Sequence, residues 1–138
     1  MKSILVFSFL LITLNVLTSQ SAEKKVGGNC EDCDLMFDGI PDKMASSITL
    51  ISDEEPGEKM IISGTIYKKD GITPASDVIL YVYHTDYKGN YTPSANQMHA
   101  RKHGHIRGWI KTGADGKYQL TTIRPASYPN TNIPQHIH

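Results

Sequence analysis

The chain closes on His136-Ile137-His138, with Tyr128-Pro129 a short distance before it and Tyr91 further upstream in Gly89-Asn90-Tyr91. Two imidazoles and two phenols form an unusual donor set. In an extended strand, residues i and i+2 point to one face, so His136 and His138 can present two nitrogens to a single metal ion. Two phenolates would add hard anionic oxygens. Hard oxygens together with imidazole favour an oxidised, hard metal such as ferric iron over a soft-ligand site. Each residue also has a plainer reading: Tyr91 as a surface tyrosine after a turn, Tyr128 as a loop tyrosine packed beside prolines, and the histidines as an exposed tail. A second group, His99 with His103-Gly104-His105, competes as a metal site, but its glycine and the flanking Arg101 and Lys102 suggest a solvated loop.

The elements that must position these residues read as strands. Lys59 to Tyr67 alternates imperfectly around Met60, Ile62 and Ile66. Asp77 to Thr85, DVILYVYHT, is apolar or aromatic on both faces, which fits a strand buried on both sides at the centre of a sandwich. Arg107 to Thr112 and Lys117 to Ile123 flank Asp115-Gly116 and read as a hairpin. Turn formers separate the runs at Asp53-Glu54-Glu55-Pro56-Gly57, Asp70-Gly71 and Lys88-Gly89-Asn90. Cys30 to Ser52 has weak periodicity and fits either a short helix or an edge strand. No convincing helical stripe follows the N-terminal segment, and short strands between turns predict an all-β sandwich or barrel.

The 138 residues suffice for one domain with a modest core. Lysine plus arginine balances aspartate plus glutamate at 14 each, and no basic stripe with interleaved aromatics suggests nucleic acid. Residues 1–21 read as a secretory signal: Lys2, then a mostly apolar Ile4 to Leu17, then small and polar residues. That run is short for a membrane span, which needs about 20 residues. The mature chain is therefore expected outside the membrane, secreted or periplasmic. The expected organisation is a signal over 1–21, a polar leader over 22–57, and a β-sandwich over 58–138. The two cysteines, Cys30 and Cys33, most simply form a local disulfide in an exported chain. A zinc site would need two more ligands, and a redox-active pair would need a strand-then-helix context that is missing.

Residues 62–138 resemble the intradiol ring-cleavage dioxygenases, non-haem ferric enzymes acting on catechols. The motifs that carry the resemblance come in order: SGTIY and GITPASDVILYVYHTD, then KGNYTP, then GWIKTGADGKYQLTTIRPASYP, then IPQHIH. Each piece is weak by itself, while the combination of Tyr91, the Asp-Gly turn, Arg124-Pro125-x-x-Tyr128-Pro129 and His-x-His is specific. The resemblance implies an intradiol-type β-sandwich and four ligands to Fe3+. Tyr91 matches the tyrosine that stays bound, and Tyr128 the tyrosine that leaves when substrate arrives. His136 matches the axial histidine and His138 the equatorial one. The implied reaction inserts both atoms of dioxygen between the hydroxyl-bearing carbons of an aromatic diol.

Two departures from the family pattern stand out. Ile133 occupies the position where better-studied members carry an arginine beside the substrate ring, and Arg124 lies on the other side of Tyr128. Loss of that cation would weaken stabilisation of charge on the ring. The family also continues past its His-x-His with strands that close the sandwich, so those C-terminal strands are expected to be missing here and His138 to be poorly held. Two further readings follow: an iron-binding relative without oxygenase activity, and a non-catalytic extracellular β-sandwich binding module.

Overall fold

The structure is a computed structural model and describes residues 32–95 and 100–138. The signal segment, Cys30 and His99 lie outside the described residues. Five strands build two sheets: β1 (Ser47–Thr49), β2 (Lys59–Thr65), β3 (Ile79–Tyr83), β4 (Arg107–Lys111) and β5 (Lys117–Ile123). The first sheet has the order β1-β5-β2 and the second pairs β3 with β4. Short 3-10 turns at Cys33–Phe37 and Ala100–His103 are the helical elements among the described residues. The expected all-β sandwich is what forms, for the expected reason: short apolar runs between turns have no helical face to bury.

β5 is the centre of the first sheet. It runs antiparallel to β2 from Lys59↔Ile123 to Thr65↔Lys117 and parallel to β1 from Ser47↔Gln119 to Thr49↔Thr121. Its alternation buries Leu120 and Thr122, and Ile123 follows them into the core with Ile106 and Ile110. Each such aliphatic side chain stabilises the fold by roughly 1.5–3 kcal/mol. Facing sides of the two sheets share an apolar cleft of about 290 Å³, lined by Ile62, Leu80, Val82, Ile110, Leu120 and Ile137 among others.

Three expectations are corrected. The runs around Asp115-Gly116 do not form a hairpin, because β4 pairs with β3 while β5 pairs with β1 and β2. The turn instead carries the chain from one sheet to the other. Gly116, at φ +70°, donates its N–H to the Gly113 carbonyl, and its own carbonyl accepts from Ile66 N. A Cβ at this position would lie 2.6 Å from the Ile66 carbonyl oxygen, so glycine is required. β3 is not buried on both faces: its residues are half-buried, and Ile79 is 49% exposed. The sheet begins before residue 58, since β1 joins β5 and the Cys33–Phe37 turn packs on β4 through Trp109 Nε1, which donates to the Met36 carbonyl at 2.8 Å. Cys33 is disulfide-bonded.

Candidate metal centre

Tyr91 is placed by the turn that follows β3. The buried Asp86 carboxylate accepts from Lys88 N at 2.8 Å, Asn90 N at 3.0 Å and the Thr92 hydroxyl at 2.8 Å. Burial pushes the Asp86 pKa up, but these hydrogen bonds outweigh it and hold the group below the usual carboxylate range. Gly89 closes the turn at φ +84°, and a Cβ there would run into the Ser127 carbonyl. Only glycine lets the turn lie flat on residues 126–129. Ala126 N donates to the Asp86 carbonyl at 3.2 Å, and the Thr85 hydroxyl to the Ala126 carbonyl at 2.7 Å. These bonds bring Tyr91 and Tyr128 together although they are far apart in sequence.

The histidines arrive on an extended segment beside β3. Tyr83 N donates to the His138 carbonyl at 3.1 Å, and His138 N donates to the Tyr83 carbonyl at 3.0 Å. His138 is thus held by reciprocal backbone bonds, contrary to the expectation of a poorly held ligand. Its imidazole stacks on the Tyr83 ring at 4.6 Å and 7°. His136 Nδ1 lies 2.7 Å from the Pro134 carbonyl, which can only accept. Nδ1 therefore donates in that bond, and the His136 Nε2 lone pair faces Tyr128 Oη and His138.

The four predicted donors converge. Tyr91 Oη lies 2.6 Å from Tyr128 Oη. Tyr128 Oη lies 3.1 Å from His136 Nε2 and 3.2 Å from His138 Nε2, and the two nitrogens are 3.0 Å apart. Ligands at right angles around an ion, with bonds of about 2.1 Å, would stand about 3.0 Å apart. Tyr128 and the two histidines already have that spacing, so these three fit a single ion in chemistry and in separation, with the Tyr91 hydroxyl beside Tyr128. Without an ion, burial first and then the hydrogen bond with Tyr128, in which the neutral phenol donates, push the Tyr91 phenol well above its ordinary pKa. A multivalent cation would reverse this, as it does for bound water. The His138 ring, flanked by Tyr83 and His136, has its pKa lowered by desolvation and then by His136.

A dioxygenase family model matches residues 38–137. The chain belongs to the intradiol dioxygenase family. It is 35% identical over 83 residues to catechol 1,2-dioxygenase 1 of Acinetobacter lwoffii, covering 60% of this chain and 26% of that protein. It is 28% identical over 96 residues to the protocatechuate 3,4-dioxygenase beta chain of Burkholderia cepacia, covering 64% of this chain and 40% of that one. Catechol 1,2-dioxygenase from Acinetobacter sp. ADP1, solved with bound mercury, superposes with a TM-score of 0.51 at 28% identity, over 64% of this chain and 28% of that one. This intradiol dioxygenase family member thus spans between about a quarter and two fifths of the curated relatives it matches.

Of the rival histidine group, the described members His103 and His105 take separate partners. His103 is buried rather than solvated, and its ring stacks on Tyr83 at 3.9 Å. Burial and then the Arg107 charge lower its pKa. His105 points elsewhere, with Nδ1 2.6 Å from the Thr92 carbonyl and Nε2 3.1 Å from Glu55 Oε2. Ile133 is 46% exposed, and Arg124 is tied to Gln135 at 2.9 Å and Glu58 at 3.4 Å. Sequence reasoning passed over Tyr83 and Asp86, whose backbone and carboxylate bonds hold His138 and the turn that carries Tyr91. The alternation of Tyr81 with Tyr83, and the Asp86-x-x-Gly89 turn, were the available signals.

Proposed function

We propose that this chain holds ferric iron through Tyr91, Tyr128, His136 and His138 and serves the intradiol cleavage of a catechol-type diol. Both atoms of dioxygen would enter between the hydroxyl-bearing carbons to give a ring-opened dicarboxylic acid. The observation that carries this reading is the triangle of Tyr128 Oη, His136 Nε2 and His138 Nε2 at 3.0 to 3.2 Å, with Tyr91 Oη 2.6 Å from Tyr128 Oη. Iron, when bound, supplies Lewis acidity and a template for the diol.

The remaining steps fall to the chain's own residues. Tyr91 is fastened by the buried Asp86 turn, so its ring is costly to move. Tyr128 begins an exposed turn through Pro129, Asn130 at φ +60° and Thr131, held by contacts to its own carbonyl. Such segments rearrange at low cost. Tyr128 would therefore be the donor that gives way to the diol, with its oxygen taking up a proton that the diol loses. The Pro134 carbonyl, by holding His136 Nδ1, would keep the Nε2 lone pair aimed at the iron site.

Export of the chain is part of the same proposal. The apolar Ile4 to Leu17 segment motivates it, and the disulfide at Cys33 supports it because such bonds persist in oxidising compartments. The neutral, exposed Ile133 favours a second reading, iron binding without ring cleavage. Visible absorption separates the readings. A tyrosinate-to-iron band that shifts on anaerobic addition of catechol, followed by a dicarboxylic product in air, supports oxygenase function. A shifting band without product supports the second reading. A protein that stays colourless with ferric iron overturns the site.

A further inference from the structure

Behind the donor cluster, three rings stack in order: His103, Tyr83 and His138. His103 and Tyr83 lie 3.9 Å apart at 11°, and Tyr83 and His138 lie 4.6 Å apart at 7°. His103 also has a fixed ring plane. Its Nδ1 is 2.8 Å from Tyr81 Oη, which in turn lies 3.2 Å from Arg107 Nη1. Arginine only donates, so Tyr81 Oη accepts from Arg107, which leaves its own proton available to His103 Nδ1. Arg107 is itself held by the Asp38 carbonyl at 2.8 Å and the Leu35 carbonyl at 3.3 Å. The series therefore begins on the 3-10 turn that carries Cys33 and ends on the imidazole at residue 138.

We infer that His103 is a positioning residue for His138: locked by Tyr81, its ring clamps Tyr83 flat against the His138 imidazole. A buried histidine that merely filled space would need neither the near-parallel alignment through two neighbours nor a donor hydroxyl that is itself oriented by an arginine. Nothing in the sequence between residues 99 and 105 distinguishes His103 from a loop histidine; its role comes from the folding of the second 3-10 turn back over β3. Groups that orient ligand imidazoles typically change metal affinity by about 10–100-fold when removed. The inference rests on the reading of His138 as a ligand only for its consequence in iron binding.

The test uses the full chain and begins without metal. A tyrosine face over an imidazole displaces the His138 ring-proton NMR signals, which reports the stack directly. In His103→Ala these signals should move toward free-histidine positions while the signals of Ile110 and Leu120 stay in place, and ferric affinity should fall about ten-fold or more. His103→Phe keeps a flat ring and should retain the displaced signals. Unchanged His138 signals and unchanged ferric affinity in His103→Ala overturn the inference. Should His103→Ala not fold, Tyr81→Phe carries the test: it keeps every ring and releases His103, so unmoved His138 signals there overturn the inference too. If the wild type binds no ferric iron yet His103→Ala moves the His138 signals, the positioning role stands and the iron reading fails.

Discussion

On one face of β3, Leu80 and Val82 line the apolar cleft shared with Ile62, Ile110 and Leu120. On the other, Tyr81 and Tyr83 stand among His103, Trp109 and His138. Both faces read as apolar in the sequence. The inner face is aliphatic and packs by volume, without regard to direction. The outer face is aromatic and polar at its edges, with hydroxyl, indole and guanidinium groups that fix angles as well as distances. The contrast teaches that a strand apolar on both sides need not be a core strand. Its second face can be the scaffold of a site, covered by rings and turns instead of by another sheet.

Changes to the two faces should separate binding from stability. The largest effect is expected for His136→Ala, which removes a donor: ferric affinity should fall by more than the roughly 10–100-fold seen for supporting residues, with little change in the thermal midpoint. Titration with ferric iron followed by visible absorption checks this, and equal losses of affinity and stability would erase the contrast. Leu120→Ala on the inner side should do the reverse, costing about 2–5 kcal/mol in urea unfolding through the cavity it leaves. Gly89→Ala touches both. Its left-handed φ of +84° and the Ser127 carbonyl beside it predict a loss of about 1–3 kcal/mol, together with weaker iron binding as Tyr91 and Tyr128 separate.

A pH effect follows from His84, which is buried between the Thr85 carbonyl and the Thr122 hydroxyl, each at 2.7 Å. Desolvation lowers its pKa in the folded chain, partly offset by the Thr85 hydrogen bond. The unfolded chain, with an ordinary value of about 6.5, then binds more protons than the folded one, so stability falls as pH drops through about 6.5 and below. His103 and His138 shift in the same direction, so His84→Gln should flatten only part of the slope in urea midpoints measured from pH 7 to pH 5. The smallest effect is expected for Ile61→Ala on the outer side of β2, where the side chain is 65% exposed: within about 0.5 kcal/mol by the same unfolding measurement.

Much of the site was legible in one dimension. The i, i+2 spacing of His136 and His138 gives one face to any extended segment, and hard oxygens with imidazole point to a hard metal. The β2 and β5 runs were readable because period-2 alternation is a local property of a half-buried strand, and β3 because a short apolar and aromatic run between turns reads as a strand. The failures share one cause. The Asp115-Gly116 turn and the strands around it are compatible with a hairpin and with a crossover between sheets, and the choice depends on Ile66, which accepts the crossover geometry by donating to Gly116. His103 looked like a solvated loop residue because nothing within five residues reveals that Tyr81 and Tyr83 await it across the fold.

The sequence by itself determined the candidate donor types, the strand-rich class and the family, since residue types, alternation and motif order are all carried along the chain. Only the tertiary structure decided that Tyr91 meets Tyr128 across the Gly89 turn, that His138 is tied to Tyr83 by reciprocal backbone bonds, and that His103 stands behind both. Those contacts join segments tens of residues apart, and their energies depend on distance and angle in space, which no local pattern encodes.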